Sequence, residues 1–281
     1  MAMPNPIITA ALTGPVATKA DNPGLPGSVA EIAQSAKEAY EAGAAVVHIH
    51  LRDDQGNMTV DLDVARRTVE AVNRVCPAIV QLSTGGLQFT YEDRMRMVEA
   101  KPAMATLNPC TMTFGEAEFR NPPKQMMQLA ARMLELGVKP EVEIYDTGHL
   151  GMMLDLLKKG LLAEPLQVSF VMGVKGGMPG DPTLLAYLVR ELPPGTSWQV
   201  IAVARANLPM TTIGLAMGGN ARTGMEDTIM VEPHVLAKSN AQLVERLVAV
   251  ARSLNREPAT VEEVVERLRL SPDLVSRGKA S

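Results

Sequence analysis

Short β-rich runs recur along the 281-residue chain with helix-patterned stretches between them, and this alternation narrows the possible folds more than any other feature. Strands are predicted at 7–11, 46–50, 79–82, 104–108, 141–145, 167–172 and 197–203, with a less strongly patterned eighth near 220–223. The intervening segments carry helix signals. Ser28 followed by Glu31 has capping-box spacing, and Gly43 supplies a stop. Segments 61–75, 122–136 and 183–192 behave similarly. Strands alternating with helices predict a parallel sheet covered by helices. Eight repeats favour closure into an α/β (β/α)8 TIM barrel over an open doubly wound sheet. Two further amphipathic stretches, 240–254 and 260–270, place a helical C-terminal extension at 237–281, packed on the barrel or on a neighbouring subunit. The whole of 1–281 is expected to form one TIM-barrel domain.

Composition excludes several function classes. Apolar residues make up 46% and charged residues 21%, enough to bury a sizeable core. A net charge of -4 with no basic block argues against nucleic acid as a partner. The apolar runs are strand-sized, short of the roughly 20 residues needed to span a membrane. The N-terminal MAMPNPIITA lacks a signal pattern, so a cytoplasmic location is expected. Cys76 and Cys110, far apart and without CxxC spacing, do not suggest a disulfide framework. The 18 methionines, against four phenylalanines and one tryptophan, read as flexible core fillers.

Barrel enzymes place their chemistry where strands end and βα loops begin. Two of the four histidines, His48 and His50, sit one residue apart at the end of the second predicted strand. Alternate strand residues share a face, so both imidazoles point the same way and can grip one metal ion. A pair of hydrogen-bonded core histidines is the bland alternative. A zinc site with an open position commonly adds a carboxylate to two histidines. Glu226, between glycines and a helix start, is the choice here, with Asp53 and Glu143 as rivals. Ser83, Thr84, Gly85 and Gly86 follow the third strand; Thr106 and Asn108 end the fourth; Glu143, Tyr145 and Asp146 end the fifth. Arg205 follows the seventh, while Arg222, Glu226 and Asp227 follow the eighth. Arg222 and Asp227 could also be a helix-terminal ion pair and a helix cap. His149, His234 and Arg52 carry less weight.

Long motifs in a fixed order give this constellation a relative. PIITAALTG at 6–14, NPGLP at 22–26, EAGAAVVHIHLRD at 41–53, QLSTGG at 81–86, MATLN at 104–108, PEVEIYDTG at 140–148, GVKGGMPG at 173–180 and GGNARTGMEDT at 218–228 together resemble the β-keto acid cleavage enzymes, typified by the 3-keto-5-aminohexanoate cleavage enzyme. The resemblance covers essentially the whole chain. It implies zinc held by His48, His50 and Glu226, and an Arg222–Asp227 dyad that handles protons. It also implies Ser83 and Thr106 as polar pocket groups, with Gly85, Gly86, Asn108, Glu143 and Arg205 expected to contact substrate. The implied reaction converts a β-keto acid and acetyl-CoA into acetoacetate and a new acyl-CoA. A homo-oligomer, with a tetramer favoured, goes with it.

One position departs from the pattern. Where the aminohexanoate-cleaving branch is expected to carry an acidic residue facing the substrate amine, this chain has Val16. An isopropyl group cannot balance a buried ammonium, so an amino-bearing substrate is not expected; Arg205 could instead meet a carboxylate or a coenzyme A phosphate. Two other readings share the same residues: a different divalent-metal barrel aldolase or hydrolase, and a barrel merely stapled by zinc.

Overall fold

The computed structural model describes residues 3–275, and its central feature is a closed barrel of parallel strands. In chain order the elements are β1 (Ile8–Thr13), α1 (Val29–Glu41), β2 (Val46–Ile49), α2 (Leu62–Val75), β3 (Ile79–Leu82), α3 (Tyr91–Met95), β4 (Met104–Leu107), β5 (Met112–Phe114), β6 (Ala117–Phe119) and α4 (Pro123–Leu136). There follow β7 (Lys139–Ile144), α5 (Thr147–Lys158), β8 (Gln167–Met172), α6 (Pro182–Arg190), β9 (Ser197–Ala202), α7 (Asn207–Ala216), β10 (Asn220–Thr223), β11 (Met230–Glu232), β12 (Val235–Leu236), α8 (Asn240–Ser253) and α9 (Val261–Leu268). The barrel runs β1-β2-β3-β4-β7-β8-β9-β10 and closes by pairing β10 with β1. Each predicted strand is therefore present, with ends that move by a residue or two. The remaining strands pair as two hairpins, β5 with β6 and β11 with β12.

Residue parity along each strand sorts the two faces. Outward-facing Ile8, Ala10, Val47, Ile49, Val80 and Leu82 pack on α1, α2 and α8, and Leu107, Val142, Ile144, Phe170 and Val200 pack on the helices of the other half. Inward-facing positions follow a different rule. Barrel interiors are commonly filled by bulky branched residues in layers of four from alternate strands. Here one such layer is Thr9, Gln81, Glu141 and Gln199, all buried and polar. Three of its members are linked, since Thr9 Oγ1 donates to Gln199 Oε1 at 3.1 Å and Gln199 Nε2 donates to Glu141 Oε2 at 2.8 Å, while Gln81 Nε2 and Glu141 Oε1 are buried without a protein partner. The next layer toward the strand ends contains His48, Thr106, Ser169 and Arg222, so the site rests on a hydrogen-bonded floor.

Helix boundaries follow local chemistry. Ser28 accepts from the Glu31 backbone N–H as expected, but the Glu31 carboxylate takes the Gly27 N–H and Lys19 rather than completing a capping box. The reciprocal box occurs at α9, between Thr260 and Glu263. The expected C-terminal extension, of which 276–281 lie outside the described residues, divides in two. Helix α8 lies beside α1 and α7 and completes the ring of helices around the barrel. Only α9 lies outside that ring, laying Val261, Val264 and Leu268 over Ile7, Val46, Ile79 and Met104 at the end of the barrel where the strands begin. Of the two expected settings, the barrel or a neighbouring subunit, it is the barrel that buries their apolar faces.

Candidate active site

The second strand delivers both histidines to the same mouth. His48 and His50 are buried, and Glu226 reaches them from the loop after β10. Glycine makes that approach possible. Gly224 adopts φ +146° against the Ala11 backbone, where a side chain would collide with the carbonyl. A Cβ on Gly14 would come within 2.5 Å of Glu226 Cγ. Two small residues thus seat one carboxylate.

The three groups suit a cation. Their ligand atoms lie within 4.8 Å of one another, with His48 Nε2 at 3.2 Å and His50 Nε2 at 3.7 Å from the Glu226 oxygens. His48 Nδ1 faces Gln81 Oε1 at 2.7 Å; an amide oxygen only accepts, so Nδ1 carries the proton and a neutral ring turns a lone pair outward at Nε2. Despite their proximity, His48 Nε2 and Glu226 Oε2 are buried without a hydrogen-bond partner. Two lone-pair atoms converging in this way leave a position that a divalent cation fits. Burial opposes charging of both imidazoles; the Glu226 carboxylate outweighs it at His48, whose pKa is raised, and not at His50, whose pKa is lowered. Burial also disfavours the Glu226 anion, but Arg222 and the two imidazoles hold it well below the usual carboxylate range.

Arg222 organises the acidic side of the mouth. Its Nε and Nη2 donate to the two Asp227 oxygens at 3.0 and 2.7 Å, a bidentate pair, while Nη2 also donates to Glu226 Oε1 at 2.7 Å. Burial raises the Asp227 pKa and the Arg222 charge pulls it down. Burial exceeds that pull, and the carboxyl is held above its ordinary value. A more basic Asp227 is a better proton acceptor.

Glu143 lies on the other side, with Oε1 at 4.0 Å from Arg222 Nη1 and Oε2 accepting from the Tyr145 hydroxyl at 3.1 Å. Burial pushes its pKa up to about 7, against the partial relief of Arg222 and His48. Between its ordinary value and that pH the unfolded chain has released this proton and the folded one has not, so stability falls as pH rises. In metal-free protein this contributes about 3 kcal/mol, complete near pH 7. Thermal unfolding from pH 5 to 7.5 should therefore show a shallower decline in Glu143→Gln than in the parent; parallel curves would rule the effect out.

The mouth opens into a cavity of about 360 Å³. Ser83, Gly85, Gly86, Asn108, Glu143, Arg222 and Asp227 all line it, together with the three ligand candidates. Ser83 Oγ accepts from Gly85 N–H at 3.1 Å, and Asn108 is buried with neither side-chain polar atom bonded to protein. Two expected residues do not reach the cavity. Thr106 is buried behind it, where its Oγ1 accepts from Thr84 N–H at 3.0 Å and its carbonyl accepts from Thr84 Oγ1 at 2.8 Å, so it anchors the loop after β3. Arg205 is exposed on the turn after β9 and is absent from the lining. Among the rivals, Asp53 accepts from the backbone of Gln55 and Asn57 in a surface turn. His149 is buried at the start of α5 and accepts from Tyr145 N–H, and His234 occupies a left-handed position in the turn between β11 and β12. Arg52 donates to the carbonyls of Gly14 and Ala17, fixing the loop that carries Val16. The sequence reading missed Phe114 and Phe119, which the β5–β6 hairpin brings to the cavity wall. It also missed Gln81, although this residue lies two positions before Ser83 on the same strand face.

The fold and this mouth define a (β/α)8-barrel protein with a buried two-histidine, one-carboxylate cluster next to an arginine-held aspartate. The sequence pattern of the beta-keto acid cleavage enzymes matches residues 6–270, and the chain belongs to that family. It is an acyl-transferring enzyme that cleaves a carbon–carbon bond. Over 94% of its length it is 41% identical to the 3-keto-5-aminohexanoate cleavage enzyme of Acetoanaerobium sticklandii, covering 98% of that protein. It is 35% identical to the 3-oxoadipate:acetyl-CoA acetyltransferase of Cupriavidus necator, over 92% of each chain. Among solved structures, the ternary complex of ObcA with a C4-CoA adduct and oxalate superposes with a TM-score of 0.77 at 20% identity, covering 88% of this chain and 68% of that one, a likeness of fold.

Proposed function

We infer that the protein condenses a β-keto acid with acetyl-CoA and releases acetoacetate and a new acyl-CoA. The observation that carries this reading is the placement of the His48–His50–Glu226 cluster and the Arg222-held Asp227 on one cavity, in a chain of this family. His48, His50 and Glu226 would hold a divalent metal, and two nitrogens with one carboxylate oxygen suit zinc. When bound, such an ion supplies a Lewis acid that makes the carbon between the keto and carboxylate groups more acidic.

The chain's own groups then handle the proton and the charges. Asp227, aimed by Arg222, removes a proton from that carbon. The carbanion adds to the thioester carbonyl of acetyl-CoA and displaces the coenzyme A thiolate, and Ser83 and Asn108 are placed on the cavity to donate hydrogen bonds to developing oxyanions. The thiolate attacks the original keto carbon, the bond between that carbon and its neighbour breaks, and the new carbanion takes back the proton. Two carbons of the acetoacetate come from the acid and two from the acetyl group. Atoms and charge balance without another reactant.

The test is acetoacetate release from β-keto acids, with and without acetyl-CoA. Strict dependence on acetyl-CoA is expected; product formation without it would favour an aldolase or hydrolase. His50→Ala should bind zinc at least about 100-fold more weakly in a chelator competition and lose turnover in parallel, whereas unaltered zinc affinity would remove this cluster as the metal site. A cytoplasmic location accompanies the use of acetyl-CoA, and no helix among the described residues is long and apolar enough to cross a membrane. For a homo-oligomer, tetramer favoured, the exposed Met230, Val235 and Leu236 of the β11–β12 hairpin now offer the better apolar surface.

A further inference from the structure

Lys175 aside, the charged groups on the cavity face one another at the reaction centre, where Arg222 Nη1, His48 Nε2 and Glu226 Oε2 keep no hydrogen-bond partner, and none of them lies on the walls beyond it. Arg222 serves Asp227, Glu226 and Glu143, and His48 and His50 face Glu226. Lys175 stands at the exposed rim within 3.6 Å of Glu116 and points its charge at solvent. Beyond this reaction centre the walls are Phe114, Phe119, Val171, Ile201 and Val203, with Val16 exposed at the entrance. Asn108 adds an unpartnered but neutral donor and acceptor. An ammonium or a second carboxylate carried into this space would lose water and meet no counter-ion, which is costly for any buried charge. A neutral aliphatic tail would lose only water that apolar walls already exclude. The pantetheine arm of coenzyme A is also uncharged, so sharing these walls with it brings no counter-charge to the tail.

We propose, on the basis of the reaction inferred above, that the substrate is a small β-keto acid with an uncharged, mainly aliphatic tail, selected by the apolar wall that Val16 completes at the entrance. This sets the chain apart from the two relatives, whose names specify an amino-bearing and a dicarboxylic acid.

Three probes decide it: 3-oxohexanoate, 3-keto-5-aminohexanoate and 3-oxoadipate. With saturating acetyl-CoA, kcat/KM for 3-oxohexanoate should exceed each of the others by at least about tenfold. Calorimetric titration of the zinc-loaded protein without acetyl-CoA should give the same order of affinities. In Val16→Glu the disadvantage of the amino acid should shrink several-fold, because the new carboxylate supplies its counter-charge, while 3-oxoadipate should fall further behind. Equal or better binding of either charged acid overturns the proposal, as does an unchanged ranking in Val16→Glu. Failure of all three acids to yield acetoacetate would sink the reaction instead, and the titration would still decide the tail.

Discussion

Asp227→Asn is expected to lower kcat by about 10³-fold while the protein folds and keeps its metal. The amide has the shape of the carboxylate and leaves Arg222 one acceptor, and the groups proposed as metal ligands are elsewhere: His48, His50 and Glu226. What disappears is the basic oxygen pair that Arg222 holds at 2.7 and 3.0 Å, in a carboxyl whose proton affinity burial has raised. A direct readout precedes condensation. In heavy water without acetyl-CoA, the parent should exchange the protons between the keto and carboxylate groups, and the variant should lose that exchange along with turnover. Retained exchange with lost turnover would move Asp227 to a later step. Retained turnover would remove it from proton transfer, and loss of zinc together with activity would make its role structural.

The common face of the two histidines was readable because strand parity is a strong code, whereas the role of Asp227, which lies beyond the last barrel strand, came only from the family resemblance. Residues two apart share a face, so His48 and His50 could be placed on one side before any contact was seen. Strand ends at a barrel mouth then gathered Ser83, Asn108 and Arg222. Legibility ended where placement depends on tertiary contacts. Thr106 has the parity of an inward residue, yet the loop after β3 folds over it and takes its hydroxyl. Arg205 follows a strand directly, but the turn there carries Ala204 at φ 51° and leaves the guanidinium in solvent. The β5–β6 hairpin is only three residues per strand, too short for a periodic signal, and so its phenylalanines were invisible as pocket walls. Helix α8 was legible as a helix and misplaced as an appendage, since amphipathicity shows that a face is buried without saying on what.

Removing the cation that binds these acids together should have the largest effect on stability. Arg222→Met approximates the length of the arginine stem while leaving Asp227 and Glu226, both within 2.7 Å of its nitrogen, and the nearby Glu143 without their buried partner. Breaking a buried ion pair from one side costs about 3–5 kcal/mol, which in a domain of this size lowers Tm by on the order of 10 °C. Such a loss would be expected of any buried pair; its response to metal is what distinguishes this site. With Arg222 gone, a divalent ion bound by Glu226 and the two histidines becomes the remaining cation among three carboxyl groups. Zinc should therefore raise the Tm of Arg222→Met by more than it raises that of the parent, although turnover stays low because Asp227 has lost its aim. The check is thermal unfolding of both proteins, stripped of metal and then reloaded. A deficit of equal size in both states would mean that the guanidinium and the metal position are electrostatically independent, and the picture of one charge-balanced centre would fail.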